Sequence, residues 1–171
     1  MMQIRKACLK DMPDILKLYE GAREFMAQHG NPRQWGATGW PPEELLLDDI
    51  SIGKLYVCIQ DDPDHQIAAV FYYDYGKDIE PAYLAIEDGE WKDPSAFGVV
   101  HRIAADPGIK GAGSFCINWA FEQSGHLRID THPDNYVMQN LLKKLGFERR
   151  GITHVEEDDD PRYAYEKSRT D

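Results

Sequence analysis

"FGVVHRIAADPGIKGAGSFCINWAFEQ", residues 97–123, is the stretch on which the fold turns. Its first ten residues form an apolar, β-branched run that reads as a strand, and "GAGSFCINWAFEQSG", residues 111–125, reads as a helix. Between them "GIKGAGS", residues 108–114, packs three glycines and one lysine into seven positions. A strand that ends in a glycine-rich turn and feeds a helix makes an anion site, because free backbone N–H groups and the positive end of the helix dipole meet there. Phosphate is the natural guest. A P-loop would need a lysine directly after the last glycine, but Ser114 follows Gly113; a dinucleotide fingerprint would need a third glycine where Cys116 stands. A plain tight turn is the alternative reading of the loop taken alone.

Composition bounds what such a site serves. The 171 residues fit one domain, expected to span 1–171, and 42% hydrophobic with 11% aromatic residues is a globular composition. A net charge of -11 and a pI near 4.9 argue against nucleic acid, whose phosphates need a basic face, and favour an amine-bearing partner. Cys8, Cys58 and Cys116 are odd in number and lack metal-ligand spacing, so neither a disulfide framework nor a metal site is expected, and a reducing compartment follows. No apolar run approaches the roughly 18 residues of a membrane span and the N-terminus has no apolar leader core, so the expectation is a cytoplasmic protein with no membrane partner.

Working outward, "QIRKACL" reads as a first strand and residues 10–32 as a helix, with Asp11 as N-cap, Pro13 in the first turn, and Gly30 and Pro32 at the end. Met12, Ile15, Leu18, Ala22, Phe25 and Met26 give it one apolar face. A second helix opens at Pro41 and stops before Gly53; "KLYVCIQ" and "HQIAAVFYYDY" form a hairpin; residues 78–96 read as a loop lying over the sheet. After the central helix come the strand "HLRIDTHP", the helix "NYVMQNLLKKLG", and two strands, "FERRGITHV" and "RYAYEKS", flanking the acidic turn "EEDDDP". The order β-α-α-β-β-β-α-β-α-β-β predicts a mixed α/β layer structure.

Together, "IAADPGIKGAGSFCINWAFEQ" and "LRIDTHPDNYVMQNLLKKLGFERRGI" resemble the GNAT superfamily of acyl-CoA N-acyltransferases. The family's loop pattern falls on Lys110, Gly111, Ala112, Gly113, Ser114 and Phe115, and its later motif on Asn135, Met138, Leu141, Leu145, Gly146 and Phe147. The resemblance is specific over residues 97–151 and elsewhere rests on element order. It implies a mostly antiparallel central sheet flanked by helices, acetyl-CoA as acyl donor with no metal, and a primary amine of a small molecule or peptide as acceptor, acetylated by direct attack in a ternary complex. Homodimers are frequent in that family. The alternative is a degenerate member that binds acyl-CoA as a sensor or partner module with little transfer. Two departures stand out in the loop: Lys110 replaces the family's arginine or glutamine, keeping the cation but not the fork, and Phe115 replaces a small residue, so its ring is expected to turn into the core.

The resemblance places CoA against Lys110, Gly111, Ala112, Gly113 and Ser114, against backbone at Ile103 and Ala105, and against Asn135, for which an N-cap role is the local alternative. For the base, strand alternation puts Val99, His101, Ile103 and Ala105 on one face, and His101 is the titratable member; an imidazole, with pKa about 6.5, suits proton removal at neutral pH. A histidine hydrogen-bonded within the sheet is the other reading. For the acid, the family's usual tyrosine position carries Leu142, so either Tyr136, Tyr163 or Tyr165 replaces it or the thiolate leaves unassisted, with Leu142→Tyr expected to restore the hydroxyl if the ring fits. Cys116 reads as core, and Asp130 and His132 as turn residues or acceptor contacts. Phe25, Met26, Trp35 and Trp40 are candidate walls of an acceptor pocket, with the turn Glu156 to Asp160 either drawing in a cation or simply solvated.

Overall fold

The computed structural model describes residues 1–170, so Asp171, the last residue of the expected domain, lies outside them. Its elements follow the predicted order: β1 (Met2–Lys6), α1 (Met12–Gln28), α2 (Glu43–Ser51), β2 (Leu55–Gln60), β3 (Ile67–Gly76), β4 (Phe97–Ala105), α3 (Ala112–Ser124), β5 (His126–Thr131), α4 (Tyr136–Lys144), β6 (Glu148–His154) and β7 (Pro161–Ser168). The strands form one sheet in the order β1-β2-β3-β4-β5-β7-β6. The β1–β2, β2–β3, β5–β7 and β6–β7 pairs are antiparallel, whereas β4 and β5 run parallel through Gly98/Leu127 and Val99/Arg128. The described residues divide into two compact units, Met1–Tyr73 with His101–Ile117, and Asp74–Val100 with residues 118–170.

In the first unit α1 buries Met12, Ile15, Tyr19 and Met26 with Leu46 of α2, Leu55 and Val57 of β2, Val70 of β3 and Ala104 of β4. Tyr19 completes the helical spacing 12, 15, 19, 22, 26, so the buried face is centred on it. Asp11 departs from its expected role. Its carboxylate accepts both Arg5 guanidinium nitrogens (2.8 and 2.9 Å) and the Cys8 amide (2.8 Å), and so makes no side-chain cap on α1. Arg5 competes successfully because a charge-assisted, two-pronged bond outweighs a single capping bond.

In the second unit residues 78–96, expected as a loop over the sheet, form a 3-10 turn at Pro81–Leu84 and then pair with the edge strand β6. Glu87 and Ile152 of β6 exchange two backbone hydrogen bonds of 2.8 Å, which cover part of an otherwise open edge strand. The approach requires two glycines: a Cβ on Gly89 would run into the Arg150 carbonyl, and one on Gly151 into the Glu87 carbonyl. The returning segment is held by Glu166 of β7, which is fully buried and accepts from His126 Nε2 (2.8 Å), Arg150 Nε (2.9 Å), the Lys92 amide (3.0 Å) and Arg128 Nε (3.3 Å). The Arg128 guanidinium lies over the rings of Trp91 (4.2 Å) and Phe97 (4.1 Å).

Burial alone would raise the Glu166 carboxyl, but the bonds from His126, the Lys92 amide and Arg150, with the charge of Arg128, bring it down from 4.5 to about 2. A depressed carboxyl contributes stability that is complete above its unfolded pKa and lost as pH falls through the folded one. The contribution is about 3 kcal/mol, present above about pH 4.5 and gone near pH 2. Glu166→Gln should cost about 3–5 kcal/mol at pH 7 by stranding buried cations, and should flatten the pH dependence of denaturant unfolding between pH 5 and 2. Parallel pH profiles for wild type and variant would remove Glu166 from that role.

Candidate active site

At the end of β4 the chain is steered by Asp106. Its amide donates to the Ala68 carbonyl (2.9 Å), while its carboxylate accepts the Gly108 amide (2.8 Å) and Gln66 Nε2 (3.3 Å). Gly111 then takes a left-handed conformation (φ +83°), and the Phe115 amide donates to its carbonyl (2.9 Å), closing the first turn of α3. The amides of Ala112, Gly113 and Ser114 precede that bond, so helix geometry gives them no acceptor within α3. They lie at the helix end where the sequence reading expects an anion, with Lys110 exposed beside them. Phe115 is half-buried and does not enter the core as expected; the core positions of α3 are taken by Cys116, Ile117 and Ala120.

The expected face of β4 is also corrected. Arg102 has φ +52°, which is uncommon for a long side chain and breaks the pleat, so Val99, His101, Ile103 and Ala105 do not form one uninterrupted face. The His101 ring lies 5.8 Å from that of Tyr72, and the Arg102 guanidinium lies 4.5 Å over the same Tyr72 ring. Two consecutive residues thus address one partner, which regular alternation forbids. Beyond the break Ala104 enters the core, and Ile103 and Ala105 are half-buried.

Three residues that the sequence reading missed secure this arrangement. The Tyr19 hydroxyl donates to the Arg102 carbonyl (2.6 Å), and Arg102 Nε and Nη2 donate to Asp49 Oδ2 of α2 (3.1 and 2.8 Å). Tyr72 supplies the stacking surface. Burial pushes the Tyr19 phenol up, and burial also raises the Asp49 carboxyl against the opposing charge of Arg102. The signal for Asp49 was present: with Leu46 and Ile50 it falls on the buried side of α2 at three and four residues, where an acid needs a cation.

In the same unit Trp35 belongs to the core, edge-on to Tyr19 at 5.8 Å, and Met26 is buried too. Phe25 is half-buried and stacks on His29 at 3.9 Å. Trp40 is half-buried, and its indole N–H is sealed without a partner among the described residues.

In the second unit Asn135 caps α4, its Oδ1 accepting the Met138 amide (3.0 Å). Tyr136, next in the chain, is 62% exposed; Tyr163 lies beneath the Arg149 guanidinium at 3.5 Å; Tyr165 is buried, which raises its phenol. A further tyrosine emerges: Tyr83, also buried, donates to Asp130 Oδ2 at the end of β5 (2.6 Å), and burial and the Asp130 charge raise its phenol. His132 donates from Nε2 to Asp160 (2.8 Å) and accepts the Asp134 amide at Nδ1 (3.0 Å), the pattern of a neutral imidazole. Asp158 accepts two bonds from the buried Arg162 (3.0 and 2.8 Å). The acidic turn therefore spends Asp158 on Arg162 of its own hairpin and Asp160 on His132 beyond it, leaving Glu156 and Asp159 exposed.

Among the described residues no helix is long and apolar enough to cross a membrane, and no group of three or more His, Cys, Asp or Glu side chains is placed to hold a metal ion.

A mostly antiparallel seven-stranded sheet, whose fourth strand passes through a glycine turn into the N-terminus of a helix, defines the acyl-CoA N-acyltransferase class of fold. A GNAT-family acetyltransferase of known structure from Streptococcus agalactiae is 32% identical over 98% of this chain and 95% of its own, with a TM-score of 0.82. A Staphylococcus aureus protein described as an acetyltransferase is 25% identical over 97% and 98% (TM-score 0.67). A GNAT-family acetyltransferase from Listeria monocytogenes, 15% identical over 97% and 94%, shares the fold (TM-score 0.70). The chain belongs to the GNAT family. No protein-family model matches the sequence, and no curated protein matches it.

Leu142 is fully buried on α4, so the rescue expected from Leu142→Tyr meets a packed core. The substitution should destabilise by about 1–3 kcal/mol through overpacking and give no gain in turnover. A faster enzyme of unchanged melting temperature would show that the ring and hydroxyl are accommodated.

Proposed function

We propose that the protein is an N-acetyltransferase that moves the acetyl group of acetyl-CoA to a primary amine of a small molecule or peptide, by direct attack while both substrates are bound, in the cytoplasm. One observation carries the reading: the turn after β4 presents the unshared amides of Ala112, Gly113 and Ser114, with Lys110 alongside, as a site for the CoA pyrophosphate. Membership of an acetyltransferase family gives that phosphate site its cosubstrate.

In this reading His101 removes the proton from the acceptor ammonium, and β4 holds its ring against Tyr72. Holding donor and acceptor together supplies much of the rate, as two solutes become one complex. Asn135 contacts the pantetheine arm, and Tyr136 is the replacement proton donor for the leaving thiolate.

Two variants test the assignment. Gly113→Val should weaken CoA binding at least tenfold in calorimetry with the circular dichroism spectrum retained, because a branched side chain at the second helical position crowds the amides. Unchanged affinity would place the phosphate elsewhere. His101→Ala should lower turnover with a good acceptor by about 10²- to 10⁴-fold with little change in CoA affinity, as befits a base used in the chemical step. Wild-type turnover with an unaltered pH profile would make His101 a structural residue.

A further inference from the structure

The Asp49–Arg102 pair is more than a tie between α2 and β4. Its inner atoms bind each other, with Nε and Nη2 both on Oδ2. Its outer atoms, Asp49 Oδ1 and Arg102 Nη1, have no partner among the described residues. Neither is sealed from solvent: the buried side-chain atoms that lack a partner are Asn31 Oδ1, Trp40 Nε1, Thr131 Oγ1 and Thr153 Oγ1. Both side chains are otherwise covered, at 5% and 12% exposure. The pair thus offers a single accepting atom and a single donating nitrogen, and it borders Tyr72, whose ring is also addressed by His101.

From this we infer that Asp49 and Arg102 form the acceptor subsite for a zwitterion, the ammonium on Asp49 Oδ1 and the carboxylate on Arg102 Nη1, so that the acceptor is an α-amino acid. The inference rests on the acetyl transfer proposed above and names its substrate class. Charge favours it: a chain of net charge -11 repels an anionic acceptor, whereas a zwitterion arrives with no net charge and finds both signs fixed in advance. The alignment also serves the chemistry. The ammonium gives one proton to His101; the amine forms the new N–C bond at the thioester carbonyl as the C–S bond breaks; the second nitrogen proton ends on the sulfur. The products are the N-acetyl amino acid, free CoA and a proton.

The test is thiol release from acetyl-CoA with L-amino acids, their carboxamides and the corresponding decarboxylated amines, for wild type, Arg102→Gln and Arg102→Lys. For the wild type, kcat/KM should favour the free amino acid over its carboxamide by about 10- to 100-fold, the worth of one charge-assisted hydrogen bond. In Arg102→Gln that ratio should fall to near one, with partial recovery in Arg102→Lys. A merely structural role would lower all rates and leave the ratio intact, which overturns the subsite. So does a wild-type ratio near one, or transfer to amines and not to amino acids, with acetyl transfer itself upheld. If acetyl-CoA binds and no amine releases thiol, the transfer reading falls. Calorimetry of L-amino acids against the CoA complex then decides the subsite: binding lost in Arg102→Gln sustains it, and no binding to the wild type overturns it.

Discussion

Arg102 sits in a left-handed backbone conformation inside a β-strand, and the first unit is arranged around keeping it there. Such a residue costs on the order of 1–3 kcal/mol and persists only where its surroundings over-determine it. Three contacts do so from three elements: the Tyr19 hydroxyl of α1 on its carbonyl, Asp49 of α2 on its guanidinium, and the Tyr72 ring of β3 beneath that guanidinium. Breaking the pleat at this residue turns His101 and Arg102 to one ring and sends Ala104 into the core. The chemistry-bearing positions of β4 are set by that break.

A different device orders the second unit. Its long connection is fastened by polar groups: Tyr83 to Asp130, Trp91 to the Tyr83 carbonyl, and the Lys92 amide to Glu166. A fully buried carboxylate between two arginines is a poor source of net stability compared with apolar packing, but it discriminates strongly against wrong arrangements, because any that leave one charge unpaired are costly. The Arg150 side chain that reaches Glu166 comes from the strand whose edge the connection covers, so anchoring and edge protection share one strand.

The acidity of the chain takes on a more local meaning in this light. Asp11, Asp49, Asp158, Asp160 and Glu166 are each bonded to a partner named above, and Asp93 accepts the Ser168 hydroxyl. The outward field is set by the remainder on the surface, such as Glu156 and Asp159.

Local chemistry was legible in the sequence where neighbours in the chain do the work. The glycine turn from β4 into α3, the hairpin of β2 and β3, and the Asn135 cap depend on φ preferences, hydrophobic period and capping within a few residues, and these are written directly in "GIKGAGS", "QDDPDHQ" and "DNYVM". What the sequence did not disclose depends on partners far apart in the chain. Asp11 looked like a helix cap until Arg5 claimed it, β4 looked regular because nothing local signals that Tyr19, 83 residues away, will hold the Arg102 carbonyl, and Leu142 looked like a replaceable acid position although it is buried. The sequence by itself determined the order of the elements and the glycine turn from β4 into α3, since propensity and period act over one or two turns of chain. Only the tertiary structure decided which polar side chains share a site, because a buried charge or a strained residue is stable only once its distant partner has arrived.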